Sequence, residues 1–190
     1  PKEGVQYKDL YEEGPWFYKR GGKYYLLYAA GGVPEHISYS MSDSPTGPWK
    51  YMGKIMPLQD TNSFTNHCGV VDFKGKSYFA YHTGWLPGGG GFTRSVCIEE
   101  FKYNEDGTIP TIMATKEGVA PVGTLNPYLK TEAETMAWGL GLKTGQDSNT
   151  GVYVTSIRNG GRLKVREVDF GNIGAGIFTA SVASGSKGGM

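Results

Sequence analysis

Two short stretches of this 190-residue chain place side chains able to move a proton or hold a cation where a strand begins. The first, Tyr11-Glu12-Glu13-Gly14-Pro15-Trp16-Phe17-Tyr18, sets two carboxylates before a Gly-Pro turn and an aromatic strand. A carboxylate wedged against Trp16 and the tyrosines loses hydration and its pKa rises, as a general acid near neutral pH requires. A solvated loop Glu is the plain alternative. The second stretch, Thr65-Asn66-His67-Cys68-Gly69, puts an imidazole at the entry to another apolar strand. A His there can be a metal ligand, a hydrogen-bonding partner of substrate or a satisfied core residue. Arg94, which opens a strand after Gly88-Gly89-Gly90-Gly91, could reach the same place, or could form a surface ion pair with Glu99 or Glu100.

The elements that must position these groups are strands. Gly22-Lys23-Tyr24-Tyr25-Leu26-Leu27-Tyr28 is answered 53 residues later by Gly75-Lys76-Ser77-Tyr78-Phe79-Ala80-Tyr81. An apolar strand precedes each copy (Trp16-Phe17-Tyr18 and Val70-Val71-Asp72-Phe73), which makes each a hairpin. A third strand follows, His36–Met41 in one copy and Thr93–Ile98 in the other, and then a fourth, near Trp49–Met52 and Thr108–Ile112. Four antiparallel strands recurring about every 50 residues are the sequence signature of a propeller blade. A sandwich of two similar hairpins is the competing architecture. Glu13 and His67 are 54 residues apart, close to the repeat, so both should face one central channel.

Composition agrees with a β-protein: 30 Gly and 10 Pro, 13% aromatic and 19% charged residues. The 38% hydrophobic content is enough for a buried core. A net charge of +1 with scattered Lys and Arg offers no basic stripe for nucleic acid and no polybasic patch for a membrane. No apolar run is long enough to span a bilayer, and no segment has the build of a signal peptide. Both ends read as cuts in a longer protein. Cys68 and Cys97 each lie in an apolar run, as buried free thiols or as a disulfide pair. The Pro-containing stretch before Lys130 reads as a linker, and the short β-patterned runs beyond it, Gly151–Val154, Arg162–Arg166 and Gly176–Val182, as strands of a second, sandwich-like unit.

Glu13-Gly14-Pro15-Trp16, Lys23–Tyr28, Tyr39-Ser40, Ser44-Pro45-Thr46-Gly47-Pro48-Trp49 and Asn66-His67-Cys68-Gly69, in that order and at blade spacing, resemble glycoside hydrolase family 43. The resemblance implies five-bladed propellers that cleave arabinofuranosyl or xylosyl linkages with inversion. In such chemistry an acid protonates the leaving oxygen and a carboxylate base, ~6.5–9.5 Å away, activates water. It implies Glu13 as that acid, and His67 and Arg94, with Trp16, facing substrate, His67 also reaching a central hydrated ion, often calcium, through water. The family's base and its pKa-tuning Asp match no residue here, so the chain by itself should be inactive.

Thr131-Glu132-Ala133-Glu134-Thr135-Met136-Ala137-Trp138, with Ile157–Gly161 and Val168–Gly171, is similar to a carbohydrate-binding module of family 6. That resemblance implies a structural calcium on Glu132 and Glu134, which should alternate on one strand and share a face; two solvated carboxylates are the alternative. Gly161-Arg162 stands where many such modules carry an aromatic sugar platform. The expectation is an all-β chain: two to three propeller blades over 1–120, a linker over 121–130 and a partial jelly-roll sandwich over 131–190. Its expected role is in a secreted, cell-surface or periplasmic bacterial hydrolase of xylan, arabinoxylan or arabinan. A non-catalytic polysaccharide-binding protein is the rival.

Overall fold

The computed structural model describes residues 10–185. Its contacts divide the chain into two compact units, Pro1–Ala120 and Pro121–Met190. The described residues of both are strands, turns and loops, without a helix.

In the first unit, β1 (Tyr11–Arg20), β2 (Lys23–Ala30), β3 (His36–Ser42) and β4 (Lys50–Met56) form one antiparallel sheet in sequence order. A second sheet holds β5 (Gly69–Phe73), β6 (Lys76–Thr83) and β7 (Ser95–Phe101), again in order. Each Gly-Lys turn closes a hairpin: Arg20 pairs with Lys23, and Phe73 with Lys76. Alternation then sorts the side chains. Tyr25, Leu27, Ile37, Tyr39 and Met41 from the first sheet meet Val70, Phe79, Tyr81 and Phe101 from the second in one buried core. Tyr18 stacks on Tyr25 with ring centres 4.7 Å apart and hydrogen-bonds Tyr103 across the core at 2.8 Å. The two sheets pack as consecutive blades of a partial propeller.

Two expectations fail here. The chain around Gly14-Pro15 is not a turn before the strand but a bulge within β1, where the register shifts between Tyr11, Glu13 and Trp16. The second sheet also lacks its fourth strand. Ile109 and Ile112 instead bury their side chains in the core, and the Ile112 amide donates to the Ile55 carbonyl of β4 at 2.7 Å. The apolar pattern that reads as a strand is a segment clamped to the preceding sheet.

In the second unit β8 (Trp138–Leu140) pairs with β11 (Arg162–Lys164), and β9 (Lys143–Asp147) forms a hairpin with β10 (Gly151–Thr155). No described residue from 121 to 185 is fully buried. Among the described residues Gly176–Val182 is exposed and forms no strand, and Arg162–Arg166 shortens to Arg162–Lys164, the three residues that pair with β8. Glu132 and Glu134 lie in a turn closed by the Thr135 amide on the Glu132 carbonyl at 3.0 Å, not on a strand. Glu132 is held by Lys130 at 2.7 Å.

Candidate active site

In each sheet the odd-numbered strands run one way and the even-numbered ones return, so the starts of β1 and β3 lie at one end of the first sheet, and those of β5 and β7 at one end of the second. Glu13 stands near the start of β1, His67 just before β5 and Arg94 just before β7. The structure brings the first two into contact: His67 Nε2 is 3.0 Å from Glu13 Oε1. Gly14 makes this possible. Its φ of +60° bends the bulge, and a Cβ there would stand 2.8 Å from the His67 ring. Trp16 is 41% exposed and flanks Gly69 at the head of β5.

Two further residues join the site. Glu35, in the β2–β3 loop immediately before β3, is buried at 8% exposure and presents its carboxyl to the same spot; one ligand atom each of Glu13, Glu35 and His67 lie within 4.8 Å of one another. Glu35 Oε2 accepts the Asn66 amide at 2.6 Å. His82, on β6, accepts the His67 amide at Nδ1 at 3.3 Å, while its own amide donates to Asn66 Oδ1 at 3.1 Å. A cavity of about 220 Å³, lined by Glu35, Met56, Gln59, Thr61 and Asn66 among others, adjoins the site. Neither Glu35 nor His82 carries a motif of its own. Glu35 was nevertheless within reach of the rule that found the others, since it too precedes an odd-numbered strand.

The electrostatics revise one expectation. Glu13 is exposed rather than wedged in apolar surroundings, and its pKa is lowered, first by the hydrogen bond from His67, then by one from Glu35 and by the His67 charge, with Arg94 adding a smaller pull. Glu35 is raised: burial disfavours its charge, the Glu13 carboxyl reinforces this, and the Asn66 amide opposes it. Of two adjacent carboxyls the buried one therefore keeps its proton longer. His82 is lowered by burial, then by Arg94 and His67, which suits a neutral ring accepting at Nδ1. Arg94 is exposed and not tied up by either nearby Glu, for Glu100 bonds Lys76 at 2.7 Å and Glu99 accepts from Tyr81 at 2.8 Å. Cys68 and Cys97 are free, and burial pushes the Cys68 thiol up to about 12.

The model of glycosyl hydrolases family 43 matches residues 2–109. The chain belongs to that family. In this family 43 chain a carbohydrate binding module (family 6) follows at residues 132–190. An arabinoxylan arabinofuranohydrolase of Paenibacillus polymyxa is 34% identical over 194 residues, covering 90% of this chain and 30% of the relative. One of Bacillus subtilis is 36% identical, covering 90% and 37%. Among solved structures, a family 43 arabinoxylan arabinofuranohydrolase from Bacillus subtilis, in complex with cellotetraose, superposes with a TM-score of 0.69 at 34% identity over 87% of this chain and 38% of that one. A β-xylosidase/α-arabinofuranosidase from a compost microbial metagenome, with xylotriose and in a calcium-free form, gives 0.52 at 37% identity over 56% and 32%. The family 43 chain thus spans about a third of the length of these relatives.

Proposed function

We propose that this chain supplies the general acid half of an inverting glycoside hydrolase that removes α-L-arabinofuranosyl or β-D-xylosyl groups from plant hemicellulose, with a sugar-binding module appended. The carrying observation is the Glu13–His67 pair at the strand-entry end of the two sheets, beside Arg94 and Trp16. An exposed carboxyl there can reach a glycosidic oxygen, His67 holds it in one orientation, and the guanidinium and indole offer a polar and an apolar contact to a sugar. The lowered pKa of Glu13 is the one feature out of keeping with an acid. A further negative charge facing it would raise that pKa and load the proton, which is the task of the tuning Asp that the family resemblance implies and no residue here matches. A polymeric substrate fits a secreted or cell-surface bacterial enzyme.

Calcium belongs to the same reading. Glu13, Glu35 and His67 are the group, among the described residues, whose donors converge; calcium takes oxygen ligands, so carboxylate oxygen and water would hold it, with His67 reaching it through a water. Such an ion would supply positive charge to orient hydroxyl groups of a bound sugar. Glu132 and Glu134 have no third His, Cys, Asp or Glu donor gathered with them among the described residues. They suit calcium less well as they stand.

The test is Glu13→Gln in the full-length protein, with two substrates of one sugar. Turnover of an arabinoxylan oligosaccharide should fall by about 100-fold or more, and that of a dinitrophenyl glycoside far less, because a nitrophenolate departs with little help from an acid. Equal losses on both would make Glu13 a sugar-binding residue. The lowered pKa leaves room for a second reading, a non-catalytic polysaccharide-binding protein, in which the full-length protein turns over neither substrate.

A further inference from the structure

Glu35 is a buried carboxyl that the proton transfer just described does not use, and a buried carboxyl survives only where partners hold it. Besides the Glu13 carboxyl, its partners are on one segment. The Glu35 amide donates to the Phe64 carbonyl at 3.0 Å, and Glu35 Oε2 accepts the Asn66 amide at 2.6 Å. One residue thus bonds both sides of the stretch that delivers His67, from the start of β3. The strand behind it adds the His82 amide on Asn66 Oδ1 at 3.1 Å and the His67 amide on His82 Nδ1 at 3.3 Å, and the Asn66 side-chain amide donates to Met56 Sδ at 3.3 Å. The imidazole so placed meets Glu13 at 3.0 Å. Without the Glu35 acceptor the Asn66 amide is left buried and unpaired, which costs more than the bond gained. The 64–67 loop must then shift to find water, and the His67 ring shifts with it.

We propose that Glu35 is a positioning residue for the acid: by clamping the Asn66 peptide it sets the place of His67, and through His67 the direction in which Glu13 points. This rests on the reading of Glu13 as the acid. The alternative is that Glu35 only staples a loop. The two differ in which substrate suffers. Misdirection of an acid slows reactions that need its proton, whereas a loosened fold slows every substrate alike.

The experiment compares Glu35→Ala, Glu35→Asp and Glu35→Gln with the parent full-length protein, calcium in excess, on the oligosaccharide and the dinitrophenyl glycoside. Glu35→Ala should lower kcat on the oligosaccharide by about 10- to 100-fold, the scale of a misplaced catalytic group, and on the dinitrophenyl glycoside by no more than a few-fold. Glu35→Asp, a methylene shorter, should fall in between, and carries the same test if the Ala variant does not fold. Glu35→Gln keeps an oxygen for the Asn66 amide and should restore kcat to within a few-fold of the parent. Equal losses on both substrates, no loss on either, or a Gln variant as impaired as Ala would each overturn the proposal. Glu13→Gln measured alongside separates the two readings, since only the acid assignment fails if that variant shows no dependence on the leaving group. In that case the crystal structure of Glu35→Ala decides: His67 Nε2 displaced beyond hydrogen-bond reach of Glu13 upholds the positioning role, and an unchanged distance refutes it.

Discussion

Gly14 links backbone to chemistry at a single position. An L residue held at φ +60° costs about 1–2 kcal/mol. In addition, its Cβ would press on the imidazole ring at 2.8 Å and force the ring away from Glu13. Gly14→Ala in the full-length protein should therefore lower Tm by several degrees and, separately, reduce kcat on the oligosaccharide by about 10-fold. Thermal melts and steady-state kinetics check the two halves, and a destabilised variant with unchanged kcat would show that His67 does not direct Glu13. At this scale the sequence spoke through residue type and strand entry: His67 and Arg94 precede outgoing strands, and Glu13 stands in the first residues of one. It could not give the pKa of Glu13. That depends on an imidazole 54 residues away and on the carboxyl of Glu35, neither of which is a neighbour in the chain.

Among the elements, the hairpins were legible because each is a local object, with alternating aromatics flanking a Gly-Lys turn. The segment after β7 was not, because two β-branched residues in a short run are equally satisfied by a loop that lends both side chains to a neighbour's core. Ile112, 5% exposed, lends such a side chain, and its amide closes on Ile55. Thr115 follows, and its amide and hydroxyl both donate to the buried Glu99 carboxylate at 2.8 and 3.0 Å. The segment therefore couples the last strand of the second sheet to the last strand of the first. Ile112→Ala should destabilise the first unit by about 2–5 kcal/mol, a cavity effect, and denaturant unfolding followed by tyrosine and tryptophan fluorescence measures it. A loss below about 0.5 kcal/mol, the size of a surface substitution, would mean that the segment only lies on the core. The second unit shows the reverse failure: Gly176–Val182 has the composition of a strand, but a strand needs a neighbour.

At the scale of the whole molecule, the first unit has a core between its sheets and apolar residues on its outer faces. The register places Val71, Phe73, Tyr78, Ala80, Val96 and Ile98 on the side of the second sheet that points away from the core. Val71 and Val96 are 57% and 70% exposed, and Phe73 and Ile98 are also exposed. On the opposite flank Phe17 stacks on Tyr24 and meets Trp49 edge-on, with Phe17 half exposed. Contiguous apolar faces of this kind are rarely left to water in a monomer. In a propeller each blade covers the next, so these two faces suit the stacking of further sheets, in keeping with a chain that spans about a third of its relatives' length. The sequence signalled this through the repeat, since two blades cannot close a ring. The 190 residues alone should therefore bind anilinonaphthalene sulfonate and self-associate as concentration rises, whereas the full-length protein, with those faces covered, should do neither. Val71→Thr combined with Val96→Lys should weaken dye binding by the short chain while leaving its core, on the other side of the sheet, intact by near-ultraviolet circular dichroism. A short chain that stays monomeric and dye-free in sedimentation and fluorescence would mean that the outer face of the second sheet is a finished surface, and that the ring closes elsewhere.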